Sequence, residues 1–111
     1  MNDDKTRIAH MIEHIQRIKT MLLGISENQF YQSISLLDAV SFNFAILGEA
    51  ANKVSEEMRK RHSEIPWGSI IGMRNILIHD YVKSNPKYMW DAVQKDLAPL
   101  CRQLEEILSS F

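Results

Sequence analysis

Ile8, Met11, Ile12, Ile15, Ile18 and Leu22 recur three or four residues apart, and that spacing constrains the fold more than any other feature of the chain. An α-helix turns about 100° per residue, from 3.6 residues per turn. These six side chains therefore form one apolar stripe. The stripe predicts a first helix from about Asp3 to Leu23. Asn2, Asp3 or Asp4 can cap its exposed N–H groups, and Gly24 suits the left-handed turn that ends a helix.

Ser26 opens a second helical region, with Glu27 and Gln29 in its first turn. Its apolar positions include Phe30, Ile34, Leu37, Phe44, Leu47, Val54 and Met58. The region is expected to end near Arg61, with an interruption near Ser33. Ser63-Glu64-Ile65-Pro66-Trp67 reads as a break and a restart, because proline suits a first helical turn. A third helix is expected over Trp67 to Ile78. Tyr81 to Pro86 reads as a loop, since Ser84-Asn85-Pro86 is turn chemistry. A fourth helix is expected from Lys87 to Leu108, kinked by Pro99, which lacks a backbone N–H. No segment sustains two-residue alternation with β-branched enrichment. The chain is thus expected to be all-α: one antiparallel four-helix up-and-down bundle over residues 1–111.

The chain has 111 residues and a formal net charge of −1, so any surface for nucleic acid must be a local patch. A domain of this length buries only about two-thirds of its surface alone, which favours an oligomer. The single cysteine, Cys101, excludes an internal disulfide and a cysteine-rich zinc site. It suits a reducing cytoplasm, and reads as a packing residue. The polar start Met1-Asn2-Asp3-Asp4 is unlike a signal peptide. No run looks apolar enough to span a membrane.

Arg74, Asn75, His79 and Tyr81 carry the chemistry. Asn75 and His79 are four apart and share a helical face. Arg74 and His79 lie about 140° apart on one continuous helix. Either the helix ends near His79, or a second copy of the chain completes the site across a two-fold axis. The second arrangement is favoured. A histidine can exchange a proton with a ribose 2′-hydroxyl or a leaving oxygen near neutral pH. An arginine offers a planar fork of donors to phosphate oxygens. Those types suit RNA cleavage with the 2′-hydroxyl as nucleophile, which needs no metal and no cofactor. Asn75 can orient His79. The plainer reading is a solvated Arg, His and Tyr at a helix end.

Around these residues, Arg74 to Tyr81 resembles the R-x4-H-x-Y signature of HEPN-domain proteins of the HepT type. Ile46-Leu47-Gly48-Glu49-Ala50-Ala51 is similar to that family's IGEA stretch. Ile65-Pro66-Trp67 followed by Ile71-Gly72-Met73-Arg74-Asn75 is similar to its IPW and GMRN run. Trp90 and Asp96-Leu97-Ala98-Pro99-Leu100 resemble its ending. The resemblance spans nearly the whole chain in order. It implies a helical homodimer and a metal-independent ribonuclease toxin with Arg74 and His79 catalytic. It also implies a minimal nucleotidyltransferase antitoxin that adds AMP to Tyr81. Added bulk and charge there would pair with Arg74 and block phosphate. Asp80 is a frequent choice at its position. Val82-Lys83 departs from the family's aromatic-glycine pair, and Lys83 can alter contacts with RNA. The competing function is a non-catalytic helical dimer that docks the nucleotidyltransferase.

Other positions carry two readings each. Glu49 either hydrogen-bonds Arg74 or His79 across the bundle or is a structural carboxylate. Arg59-Lys60-Arg61 either guides RNA or complements a helix C-terminus. His10 and His14 are spaced to share a metal, but a solvated pair is expected. Trp67, Trp90, Phe42 and Phe44 are expected in the core or a dimer interface rather than as base-stacking platforms.

Overall fold

A computed structural model describes residues 3–79 and 86–111, and of residues 75–79 the backbone alone. Every regular element among the described residues is a helix. In chain order these are α1 (Asp3–Met21), α2 (Glu27–Gln32), α3 (Ile34–Lys53), α4 (Glu56–Arg61), α5 (Trp67–His79), α6 (Pro86–Lys95) and α7 (Leu97–Ser109).

The α1 stripe faces inward along its whole length. Ile8, Met11, Ile12, Ile15, Ile18 and Leu22 are all buried. Gly24 follows with φ +77°, a conformation that costs glycine nothing and a side chain about 1–2 kcal/mol. Ser26 caps α2 by a reciprocal pair: its hydroxyl accepts from the Gln29 backbone N–H, and its own N–H donates to the Gln29 side chain. The interruption expected near Ser33 is present, with Ser33 capping α3 through Leu36 N–H.

The second helical region breaks once more than expected, at Val54-Ser55. Ser55 caps α4 through Met58 N–H. Asp4 reaches this junction from α1: one carboxylate oxygen accepts from Ser55 N–H at 2.8 Å, the other from its hydroxyl at 2.7 Å. A helix running through this point would have no Ser55 N–H to offer Asp4. The last helix also differs. It is interrupted at Asp96 rather than kinked inside at Pro99. A proline ring clashes with the carbonyl four residues earlier, here that of Lys95, so the disruption falls one turn upstream. Pro99 itself sits in the first turn of α7, where no N–H is needed. Pro86, expected in a loop, begins α6.

The most extensive helix contacts join α3 to both α1 and α5, and α7 packs on α1. One hydrophobic cluster draws residues from each of these helices, with Phe30, Phe44, Leu47 and Leu104 nearly inaccessible. Phe30 and Trp90 stack at 5.6 Å between centroids. Contrary to the sequence reading, α3 is long and apolar enough to cross a membrane, with a mean hydropathy of 1.4. Its central place explains that composition, since Val40, Phe44, Leu47 and Ala51 face neighbours and are buried.

Candidate active site around Arg74

Two adjacent residues of α3 set the position of Arg74 on α5. At Gly48 the helices approach so closely that a Cβ would stand 2.8 Å from Arg74 Cβ and 2.9 Å from the Ile70 carbonyl oxygen. Only a residue without a side chain permits that approach. At Glu49 the carboxylate receives Arg74: Nε donates to Oε2 at 3.0 Å. Of the two readings of Glu49, the structure has the contact with Arg74. Its other oxygen lies 3.7 Å from Lys53 Nζ, one turn along α3. Arg74 and Glu49 are each 38% exposed, so solvent and solutes reach the pair. For that degree of exposure the ion pair adds at most about 1 kcal/mol to stability.

His79 is the last residue of α5. The helix is continuous from Trp67, so positions 74 and 79 differ by about 140° around the axis and about 7.5 Å along it. The side chains of Asn75 and His79, and the whole of Asp80, Tyr81 and Lys83, lie outside the described residues.

The basic run Arg59-Lys60-Arg61 forms the last turn of α4, where cations favour the helix dipole. Lys60 pairs with Glu56 at 3.5 Å and Arg61 with Glu57 at 2.9 Å. Two of the three charges are therefore offset within the same short helix, which weakens a role in guiding RNA.

His14 departs from the solvated reading. Its side chain is 12% exposed, and Nδ1 lies 2.8 Å from Asn43 Oδ1 on α3. Asn43 is itself buried and donates to the Ala39 carbonyl. The pair ties α1 to α3 through polar groups inside the packing. His10 is exposed, as expected. Among the described residues, no three His, Cys, Asp or Glu side chains gather as a metal site would need. Trp67 and Phe44 are buried, Trp90 is half-buried, and Phe42 on α3 is 63% exposed.

Cys101 is buried and donates to Glu105 at 3.0 Å. Burial, then the Glu105 contact, pushes its thiol up to about 11, which agrees with a packing role. An open groove of about 250 Å³ between α3, α5, α6 and α7 includes Met73, Phe44, Leu47 and Leu97 in its wall. Among the described residues no cationic side chain lines it, so its wall is suited to apolar groups rather than to a phosphate.

Sequence reasoning missed Lys53. The four-residue spacing of Glu49 and Lys53 is a legible helix ion pair. The small residues of Gly48-Glu49-Ala50-Ala51 signal in the sequence that another helix can approach closely, and the structure shows that at Gly48 this neighbour is α5.

A family model described as Ribonuclease HepT-like matches residues 11–107. A protein of Caldanaerobacter subterraneus subsp. tengcongensis named a putative RNase is 32% identical, over 97% of this chain and 96% of its own length. A Methanocaldococcus jannaschii protein named gamma-glutamylcyclotransferase and putative RNase is also 32% identical. The match covers 98% of this chain but 49% of that relative. A protein of Thermococcus cleftensis named probable ribonuclease HepT is 27% identical, over 93% of this chain and 94% of its own length. The chain belongs to the HepT-like ribonuclease family. No solved structure matches it closely.

Proposed function

We propose that this chain is a metal-independent endoribonuclease whose active site is built on Arg74 and His79. The observation that carries the proposal is the partly exposed Arg74, held by Glu49 of α3 and carried on the helix that ends at His79, in a chain of the HepT-like family.

His79 takes the proton of a ribose 2′-hydroxyl, and the 2′-oxygen attacks the adjacent phosphorus. The bond to the 5′-oxygen breaks, that oxygen takes up a proton as the imidazolium gives its own back, directly or through water, and a 2′,3′-cyclic phosphate remains. Arg74 donates to the phosphate oxygens on which charge builds. Proton transfer of this kind contributes about 10²- to 10⁴-fold. Because Arg74 and His79 diverge around α5, the working unit is a homodimer in which a second copy completes each site. Each copy would be an up-and-down helical bundle.

The biological role follows the family. The chain acts in the cytoplasm as the toxin of a two-gene system, on tRNA or mRNA. A cognate minimal nucleotidyltransferase restrains it by adding AMP to Tyr81, with Asn75 and Asp80 supporting the site and Lys83 near the bound RNA.

The test is expression of wild type, Arg74→Ala and His79→Ala without the partner gene, with cleavage of RNA assayed on each purified protein. Wild type should arrest growth and cleave RNA, and both variants should do neither. Equal growth and equal cleavage in all three would overturn the assignment. Mass spectrometry after co-expression should find AMP on the Tyr81 peptide. A tight, inactive complex with that peptide unmodified would mean inhibition by occlusion instead.

A further inference from the structure

Glu49 stands between two cations. One carboxylate oxygen takes Arg74 Nε of α5 at 3.0 Å, and the other lies 3.7 Å from Lys53 Nζ. Two cations and one carboxylate leave this triad with a formal charge of +1. All three side chains are partly exposed, Lys53 at 50% and the others at 38%.

The geometric consequence of the contact is specific. An arginine side chain has several rotatable bonds, and its guanidinium is a planar fork whose direction decides which acceptor it meets. At its near end, Arg74 Cβ is pressed against Gly48. At its far end, Nε is tied to Glu49. Both ends are therefore set by consecutive residues of α3. A carboxylate beside a phosphate-binding arginine would by itself repel RNA. Lys53 on the opposite oxygen offsets that charge.

We propose that Glu49 is a positioning residue: it holds the Arg74 guanidinium in the orientation that meets a phosphodiester oxygen, and Lys53 keeps the triad attractive to the RNA backbone. This rests on the assignment of Arg74 to phosphate made above. Glu49 touches no substrate atom and acts only through Arg74. Misplacing a catalytic group by about 1 Å can cost about 10²-fold in rate, so the effect belongs in kcat.

The experiment is steady-state cleavage of a fluorogenic RNA oligonucleotide by the full chain, with melting temperatures measured beside it. Glu49→Ala should lower kcat about 10- to 100-fold with KM within about 3-fold of wild type. Glu49→Gln keeps an oxygen that accepts from Nε, and should recover kcat to within about 5-fold of wild type. Lys53→Ala should leave kcat nearly unchanged, raise KM, and flatten the fall of affinity with salt. Wild-type kcat in Glu49→Ala would overturn the inference. So would equal loss in the Ala and Gln variants alongside equal loss of melting temperature, which marks a structural role. If Arg74→Ala and His79→Ala cleave like wild type, the ribonuclease assignment itself fails. If those two are inactive while Glu49→Ala is fully active, the positioning role alone fails.

Discussion

Gly48→Ala is the substitution that most directly probes the framework under Arg74. The added methyl would stand 2.8 Å from Arg74 Cβ and 2.9 Å from the Ile70 carbonyl oxygen. Carbon atoms prefer about 3.5–4.0 Å, so α3 and α5 must part by roughly the difference. Neither obstacle is the mobile end of a long side chain, so the backbone must move. Overpacking of this kind costs about 1–3 kcal/mol. Replacing a mid-helix glycine returns about 0.5–1 kcal/mol. The net expectation is a loss of about 0.5–2 kcal/mol, or a melting temperature lower by about 2–8 °C in a chain of this size. Gly72→Ala is the control. It lies within α5, and a Cβ added there would meet nothing within 4 Å, so only the gain of about 0.5–1 kcal/mol applies. Thermal and urea unfolding followed by far-ultraviolet circular dichroism would measure both. If Gly48→Ala is as stable as Gly72→Ala, the close approach of α3 and α5 is wrong. A stable Gly48→Ala protein with full RNA cleavage would separately contradict its role in placing Arg74.

Four further outcomes are expected. Asn43→Ala removes the partner of His14 in the packing between α1 and α3. Leaving a buried polar group unpaired costs about 1–3 kcal/mol, and equilibrium unfolding would show whether stability falls by that amount. Cys101, with its thiol raised to about 11, should resist alkylation in the native protein at about pH 8 and react once unfolded, since the thiolate is the nucleophile. The sign for stability follows from the same direction. The folded state binds the proton more tightly than the unfolded state, so stability should fall as pH rises from the ordinary thiol value of 9.0 toward about 11. A Cys101→Ala variant should lack that component of the pH dependence. Finally, RNA cleavage should survive EDTA, because the 2′-hydroxyl is the nucleophile; loss on chelation with recovery on added metal would contradict the mechanism.

Much of the fold was legible because its causes are local. The α1 stripe, Gly24 as its stop and Ser26 as the next cap act within a turn or two of themselves, and the structure has all three. The departures have causes that are distant or displaced. The break at Ser55 is completed by Asp4, 51 residues away, while the apolar spacing of Val54 and Met58 runs straight through it. Pro99 marked the right helix, but its steric effect is felt four residues upstream. His14 sits at the edge of the α1 stripe, and only the arrival of Asn43 from α3 makes it a packed residue rather than a solvated one.

For the candidate site the division is the same. The sequence alone showed that Arg74 and His79 would diverge by about 140° on one continuous helix, because helical rotation depends only on residue number; that α5 runs on to include His79 is a finding of the structure. The sequence also placed Glu49 among small residues without choosing its partner. That choice was made by the tertiary structure. Gly48 lets α3 and α5 approach until Glu49 meets Arg74, a contact between distant parts of the chain that no local periodicity encodes. Charge pairing across helices depends on distance in space, and distance in space is settled only when the helices pack.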